Sequence, residues 1–298
     1  MGSSVQANNT SLVFVLDVIS GAVFAATLAW ALMWAVTRIA PYLRLKGAFA
    51  DLTLNGAGER ARGALRAVER DLLLLAAAAC TALTAAAALS IYGGPRLGGL
   101  WMWLLFALAC LLFIAWWVFL VRGFLAWRRA RYAARAHVAL AAALARLAMQ
   151  GQRVFHDVPL GEITLDHLVA GKLGAYAITL VARKPGKLGN VVRINGRSIE
   201  FQDGFALLDT LALAERSARA LADASVKGLS HRIHVLPVVA VPGWEIAPAQ
   251  GQVGEVFLIN EKSAVMLLRA GKPADHLMDQ DAAALQEQLT RLCVNRSF

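Results

Sequence analysis

One carboxylate stands among apolar residues in the segment LDHLV, and its chemistry needs an explanation. If this segment is a strand, Asp166 points to one face and His167 to the other. A carboxylate in such surroundings needs a metal ion, a base or a hydrogen-bond donor as its partner. His156 and Asp157 lie just upstream, on what would be the neighbouring strand. A transition-metal site built from these four residues is one hypothesis for this region.

The residues around Asp166 fall into three short apolar runs separated by turn signals. Together they predict β-strands at 153–160, 163–170 and 174–182. Gly161 and Gly171 mark the two breaks. About two residues separate the first two runs, which favours an antiparallel hairpin. The three strands would therefore bring Asp166 next to residues of the third run.

The order of these segments resembles the nuclease-related domain family, known as NERD. The resemblance is carried by an amphipathic helix over 138–147, followed by HDVPL at 156–160, LDHLV at 165–169 and GAYAI at 174–178. It spans roughly 135–295. It implies an α/β domain similar to the restriction-endonuclease fold, in which an Asp and a Glu hold Mg²⁺ and a Lys assists the attacking water. Carboxylate oxygens suit Mg²⁺, which lowers the pKa of bound water and offsets charge on the phosphate.

The sequence departs from the family at the positions that would carry this chemistry. Asp166 occupies the family's Asp position and would be the remnant metal ligand. The Glu position falls on Thr179 and the Lys position on Val181, while the upstream helix Glu falls on Arg135. The resemblance therefore predicts a catalytically degenerate relative, a pseudoenzyme without a cofactor. The alternative is a Mg²⁺-dependent nuclease with relocated groups.

A basic segment follows the third predicted strand and supplies the candidate binding residues. Arg183, Lys184 and Lys187 lie in it without an intervening acid. Such a cluster would contact phosphates or anionic lipid, and Lys184 or Lys187 would be the relocated lysine of the alternative. The competing interpretation is a solvated hairpin face, because Asn195-Gly196 predicts a two-residue hairpin nearby. Nucleic acid and a protein partner both remain as candidate ligands.

Composition suggests that the first half of the chain differs from the second. Of the 298 residues, 58% are hydrophobic and 17% charged, against about 25% charged in ordinary soluble domains. Uncharged runs long enough to cross a bilayer as helices occur at about 18–37, 72–91 and 100–121. The sequence thus predicts a transmembrane region of three helices over 1–127 and a C-terminal α/β domain over 128–298.

The distribution of arginine predicts an orientation for these spans. Residues 1–149 hold 14 Lys and Arg but 5 Asp and Glu, whereas residues 150–298 hold 16 and 15. Positive residues flank the inner ends of membrane helices, so the N-terminus is expected outside and the C-terminal domain in the cytoplasm. These expectations imply a multi-pass protein of a bacterial-type inner membrane. They also imply the lipid bilayer as a partner and a homo-oligomer formed through the transmembrane helices.

The remaining patterns predict secondary structure and contain no further catalytic or metal-binding motif. Helices are expected at 128–149, 205–226 and 274–294, and strands at 233–241, 255–259 and 264–268. His137, on the first of these helices, is interpreted as a surface or packing residue. Neither a glycine-rich phosphate loop, nor an HExxH motif, nor a serine-protease signature is present, and the three cysteines lack zinc-site spacing.

Overall fold

The structure is a computed structural model that describes residues 56–93, 99–186, 189–247, 252–253, 255–267 and 276–293. These residues divide into two compact units. The first consists of the described part of 66–127, and the second of 56–65 together with the described residues from 128 onward. The helices of the described chain are α1 (Glu59–Gly93), α2 (Gly99–Ala148), α3 (Thr210–Leu229), α4 (Asp279–Cys293) and a 3₁₀ helix (Ala264–Met266).

The second unit contains two mixed sheets of α/β character. Their strands are β1 (Arg153–Leu160), β2 (Ile163–Gly171), β3 (Gly174–Leu180), β4 (Val191–Asn195), β5 (Ser198–Phe201), β6 (Ala206–Leu207), β7 (Val235–Ala240), β8 (Glu245–Ile246), β9 (Gln252–Val253) and β10 (Val256–Ile259). The larger sheet has the order β1-β2-β3-β7-β10-β9. β1, β2 and β3 form an antiparallel meander, and β7 and β10 join it in parallel.

The larger sheet is covered on both faces by helices. The C-terminal part of α2 packs on one face, where Leu140 and Leu144 contact a buried cluster that includes Val169 and Ile178. α3 and α4 pack on the other, in a cluster whose members include Phe155, Leu168, Ala218, Leu221, Leu285 and Leu289. Adjacent residues of β2 therefore join different clusters, as the alternation of side chains along a strand requires. The result is a three-layer arrangement that buries the centre of the sheet.

The smaller sheet, in the order β6-β5-β4-β8, contains the hairpin predicted at Asn195-Gly196. The turn residues are Gly196 and Arg197, because Asn195 pairs with Ser198. Gly196 has a φ of 59°, the left-handed conformation that such a turn needs. Trp244 is buried against Phe201 and anchors the core beneath this sheet.

The prediction of a membrane region is wrong. Among the residues that the structure describes, no helix is long and apolar enough to cross a membrane. This finding overturns the three-span N-terminal region, the multi-pass inner-membrane localisation and the orientation derived from arginine. The predicted spans at 72–91 and 100–121 are parts of helices of 35 and 50 residues that also contain charged segments. The apolar runs were wrongly taken as separate elements; the run at 18–37 lies outside the described residues.

One further expectation needs correction near the end of the chain. Residues 264–266 form a 3₁₀ helix rather than a strand. Asn260 Oδ1 accepts hydrogen bonds from the backbone of Lys262 and Ser263, which turns the chain directly after β10. Pro237 lies in β7, the strand between β3 and β10. The ladder with β10 begins at Val238, so β7 is paired only with β3 at the proline.

Candidate functional site

The pairing of β2 with β3 brings two of the predicted site residues together. His167 pairs with Ile178, so Asp166 and Thr179 occupy the next positions along the two strands. Asp166 Oδ2 accepts a hydrogen bond of 2.8 Å from the backbone N–H of Leu180. Burial raises the pKa of the Asp166 carboxyl, and this hydrogen bond opposes the rise. The sequence predicted that Asp166 needs a metal ion, a base or a hydrogen-bond donor as its partner. In the structure it has a donor, the backbone N–H of Leu180 on β3.

Val181 contributes backbone contacts and packing to this region. Its N–H donates to the carbonyl of Ala240 at 2.8 Å, and its side chain packs against the cluster around Trp244. Arg135, at the family's upstream acidic position, is exposed on α2. The three substituted positions thus place a hydroxyl, an aliphatic side chain and a solvated guanidinium where the resemblance implies an acid, an amine and a second acid.

The predicted binding residues lie in different environments. Arg183 is half-buried, forms an ion pair of 2.5 Å with Asp203 and lies over the ring of Phe205. Lys184 is exposed, and Lys187 lies outside the described residues. Arg193, on the nearby hairpin, pairs with Glu200 at 3.0 Å. Arg183 and Arg193 are therefore both already paired with carboxylates.

A chain of three histidines lies on the α2 face of the sheet. His156 on β1 and His167 on β2 are direct cross-strand partners, and their Nδ1 atoms are 2.7 Å apart. His137 on α2 places its Nδ1 atom 3.1 Å from Nε2 of the same His167 ring. His167 is fully buried, His137 is buried and His156 is half-buried. The central ring thus uses both of its nitrogens, one toward each neighbour.

Burial keeps the three imidazoles in their neutral form. It lowers the pKa of His156 to about 4 and that of His167 well below the usual value. Burial also lowers the pKa of His137, although Asp166 and Asp157 oppose this shift. A neutral imidazole has one N–H and one lone pair, so the chain has two consistent hydrogen arrangements that run in opposite directions. At neutral pH the cluster is a set of uncharged rings with lone pairs available.

The start of α1 lies against this cluster. Asp157 is buried in β1 with a φ of 48°, an uncommon conformation for a residue other than glycine. Its Oδ2 atom accepts a hydrogen bond of 3.2 Å from the backbone N–H of Arg60, in the first turn of α1. The first N–H groups of a helix have no partner within the helix, so Asp157 caps α1 from a distant part of the chain.

Gly58, directly before α1, packs closely against His137 of the histidine chain. It has a φ of 66°, and a Cβ atom added to it would lie 2.5 Å from Cβ of His137. We expect Gly58→Ala to destabilise the protein by about 1–3 kcal/mol, since both the conformation and the space exclude a side chain. Urea denaturation measures the difference.

Gly63→Ala is the matched control, because Gly63 lies in α1 with open space around its Cβ position. It should stabilise by about 0.5–1 kcal/mol through helix propensity. Equal stability of the two alanine variants would show that Gly58 is not packed against His137.

The participation of His137 was missed from the sequence, although a signal was present. His137 precedes Leu140 by three residues and Leu144 by seven, which is the spacing of the buried face of α2. Within the described parts of the chain, no three His, Cys, Asp or Glu side chains converge as ligands of one ion. The three histidines do not converge on one point, because His167 faces His137 with Nε2 and His156 with Nδ1.

Comparison of the chain with protein-family models, with curated proteins and with solved structures finds no match.

Proposed function

We propose that the second unit is a nuclease-related domain whose cleavage site is degenerate, and that it acts by binding a partner rather than by cutting nucleic acid. The observation that carries the proposal is the juxtaposition of Asp166 and Thr179 on neighbouring strands. The domain also has a helix followed by three strands, the order of segments on which the resemblance rests.

The chemistry of the substituted positions supports a binding role. Mg²⁺ prefers oxygen ligands in a fixed octahedron, and one carboxylate leaves it bound mainly to water. Asp166 is held by the backbone of β3, and Thr179 adds a neutral hydroxyl at a buried position. Val181 has no group that would stabilise charge on a phosphate or orient water. At the positions that the resemblance assigns to the site, this pair of strands therefore lacks two of the three functional groups that it implies.

The charge pairing near the candidate binding residues favours a protein as the partner. Phosphate recognition needs Lys and Arg side chains that release counterions on binding. Arg183 and Arg193 are each paired with a carboxylate, so neutralising phosphates would require breaking these pairs. Lys184 remains exposed next to them. A mixed surface of this kind suits the polar rim of a protein interface.

We expect the purified chain not to cut duplex or single-stranded DNA in Mg²⁺ or Mn²⁺. Losing one electrostatic stabiliser of a transition state commonly costs about 3–4 kcal/mol, and two are substituted here. The measurement is cleavage of labelled DNA by the wild type and by Asp166→Ala. Metal-dependent cleavage that disappears in Asp166→Ala would contradict the proposal and support the nuclease with relocated groups.

The same samples test the partner class. Weak DNA binding that does not change in Lys184→Ala plus Lys187→Ala agrees with a protein partner. Tight binding that those substitutions weaken, with a steep dependence on salt, would assign the basic segment to nucleic acid instead.

A further inference from the structure

The histidine chain includes none of the residues that the resemblance assigns to chemistry. His167 follows Asp166 directly in β2, and the Asp166 carboxylate interacts electrostatically with His137. The three rings contact one another through their own ring nitrogens. A function of the histidines therefore does not depend on the proposed loss of nuclease activity.

We propose that His156 and His167 form a binding site for a divalent transition-metal ion of the Zn²⁺ or Cu²⁺ type. Cross-strand register places the two rings directly opposite each other, and their Nδ1 atoms are 2.7 Å apart. Metal–nitrogen bonds of about 2.0–2.1 Å require a separation of about 2.9 Å at a right angle and about 3.3 Å in a tetrahedron. To share an ion, the two Nδ1 atoms must therefore move apart by about 0.2–0.6 Å, and each ring must turn so that its lone pair points at the ion.

His137 acts in this site as a positioning residue. Its Nδ1 atom lies 3.1 Å from Nε2 of His167. When His167 donates its Nε2–H to His137, its Nδ1 atom carries the lone pair and faces His156. Histidine ligands usually donate their second N–H to a neighbouring group, which fixes both the tautomer and the ring orientation. The buried third histidine supplies that acceptor from α2.

The environment of the pair suits an imidazole-bound ion. When His167 Nδ1 carries the lone pair, His156 Nδ1 holds the hydrogen of their contact, so this hydrogen must move to Nε2 before both Nδ1 atoms bind one ion. His156 is half-buried, which gives solvent access to the pair and allows water to complete the coordination. Imidazole ligands favour Cu²⁺, Ni²⁺ and Zn²⁺ over Mg²⁺. The site is thus an open two-histidine site, distinct from a cage of three or four protein ligands.

Titration of the metal-free full chain with Zn²⁺ at pH 7.5, against a competing chromophoric chelator, tests the proposal. The wild type should bind one tightly held ion, and His156→Ala and His167→Ala should lose that binding. His137→Ala should keep the stoichiometry and bind about 10–100-fold more weakly. His231→Ala, which removes an exposed histidine, should titrate like the wild type.

Cu²⁺ gives an independent spectroscopic result. Its electron paramagnetic resonance spectrum should show coupling to two nitrogens in the wild type and to fewer in His156→Ala. Because His167 is fully buried, circular dichroism checks the folding of its variant, and His156→Ala decides the test if that variant is unfolded. Absence of binding, binding unchanged in His156→Ala, or an equal loss in His231→Ala would each overturn the proposal.

Discussion

Replacing Thr179 by glutamate is expected to destabilise the protein by about 3 kcal/mol in the absence of metal, because it buries a second carboxylate next to Asp166. Thr179 is buried, and the β2–β3 register places it beside Asp166. Two neighbouring carboxylates disfavour each other's ionised form. The free energy of unfolding from chemical denaturation, measured in a chelating buffer, gives the size of the effect.

Millimolar Mg²⁺ or Mn²⁺ should then recover much of that stability, because the variant would hold the two acids that the resemblance implies. A ligand present at 100 times its Kd stabilises the folded state by about 2.7 kcal/mol. Thr179→Gln is the matched control: it has the size of glutamate without its charge and should not respond to the metal. A glutamate variant that behaves like the glutamine variant would show that position 179 does not face Asp166.

Acidification from pH 7.5 to 5 should also destabilise the metal-free protein, by about 2 kcal/mol from His156 alone. The pKa of His156 falls from 6.5 when unfolded to about 4 when folded, so the unfolded chain binds more protons between these values. Stability is therefore full above pH 6.5 and decreases as the pH falls toward 4. The lowered pKa values of His137 and His167 act in the same direction.

Other charged groups around the cluster modify this slope. Asp166 and Asp157 partly offset the shift at His137, and Arg60 adds to it. The raised pKa of Asp166 has the opposite sign, because its folded form binds the additional proton and acid relieves the burial penalty. Urea midpoints at several pH values should show a smaller acid loss in His156→Asn than in the wild type. Identical slopes in the two proteins would contradict the assignment of this pH dependence to His156.

The strands around Asp166 were predictable because local turn residues define them. The predicted strands at 153–160, 163–170 and 174–182 match β1, β2 and β3 within two residues at each end. Gly161, with a φ of 66°, and the two-residue turn before Gly174 fix those ends. The mixed α/β character of the region was predictable for the same reason.

The histidine chain was not predictable to the same degree, since it depends on packing between distant segments. The cross-strand pair of His156 and His167 follows from the hairpin register. The third ring, His137, contacts His167 only because α2 packs its face with Leu140 and Leu144 on that side of the sheet. The prediction of membrane helices failed for a different reason. Mean hydropathy is summed over a window of residues, and it does not report where a helix begins or ends.

The cap that Asp157 provides to α1 has a consequence for folding during synthesis. Arg60 and Asp157 are 97 positions apart, yet both belong to the second unit. At translation rates of about 5–20 residues per second, the start of α1 waits for about 5–20 s before its capping carboxylate is made. The capping hydrogen bond cannot form during that interval, although His137, against which Gly58 packs, is made earlier. The cap is thus a late, long-range contact of the second unit, and closing its loop costs more chain entropy than closing the turn of the β1–β2 hairpin.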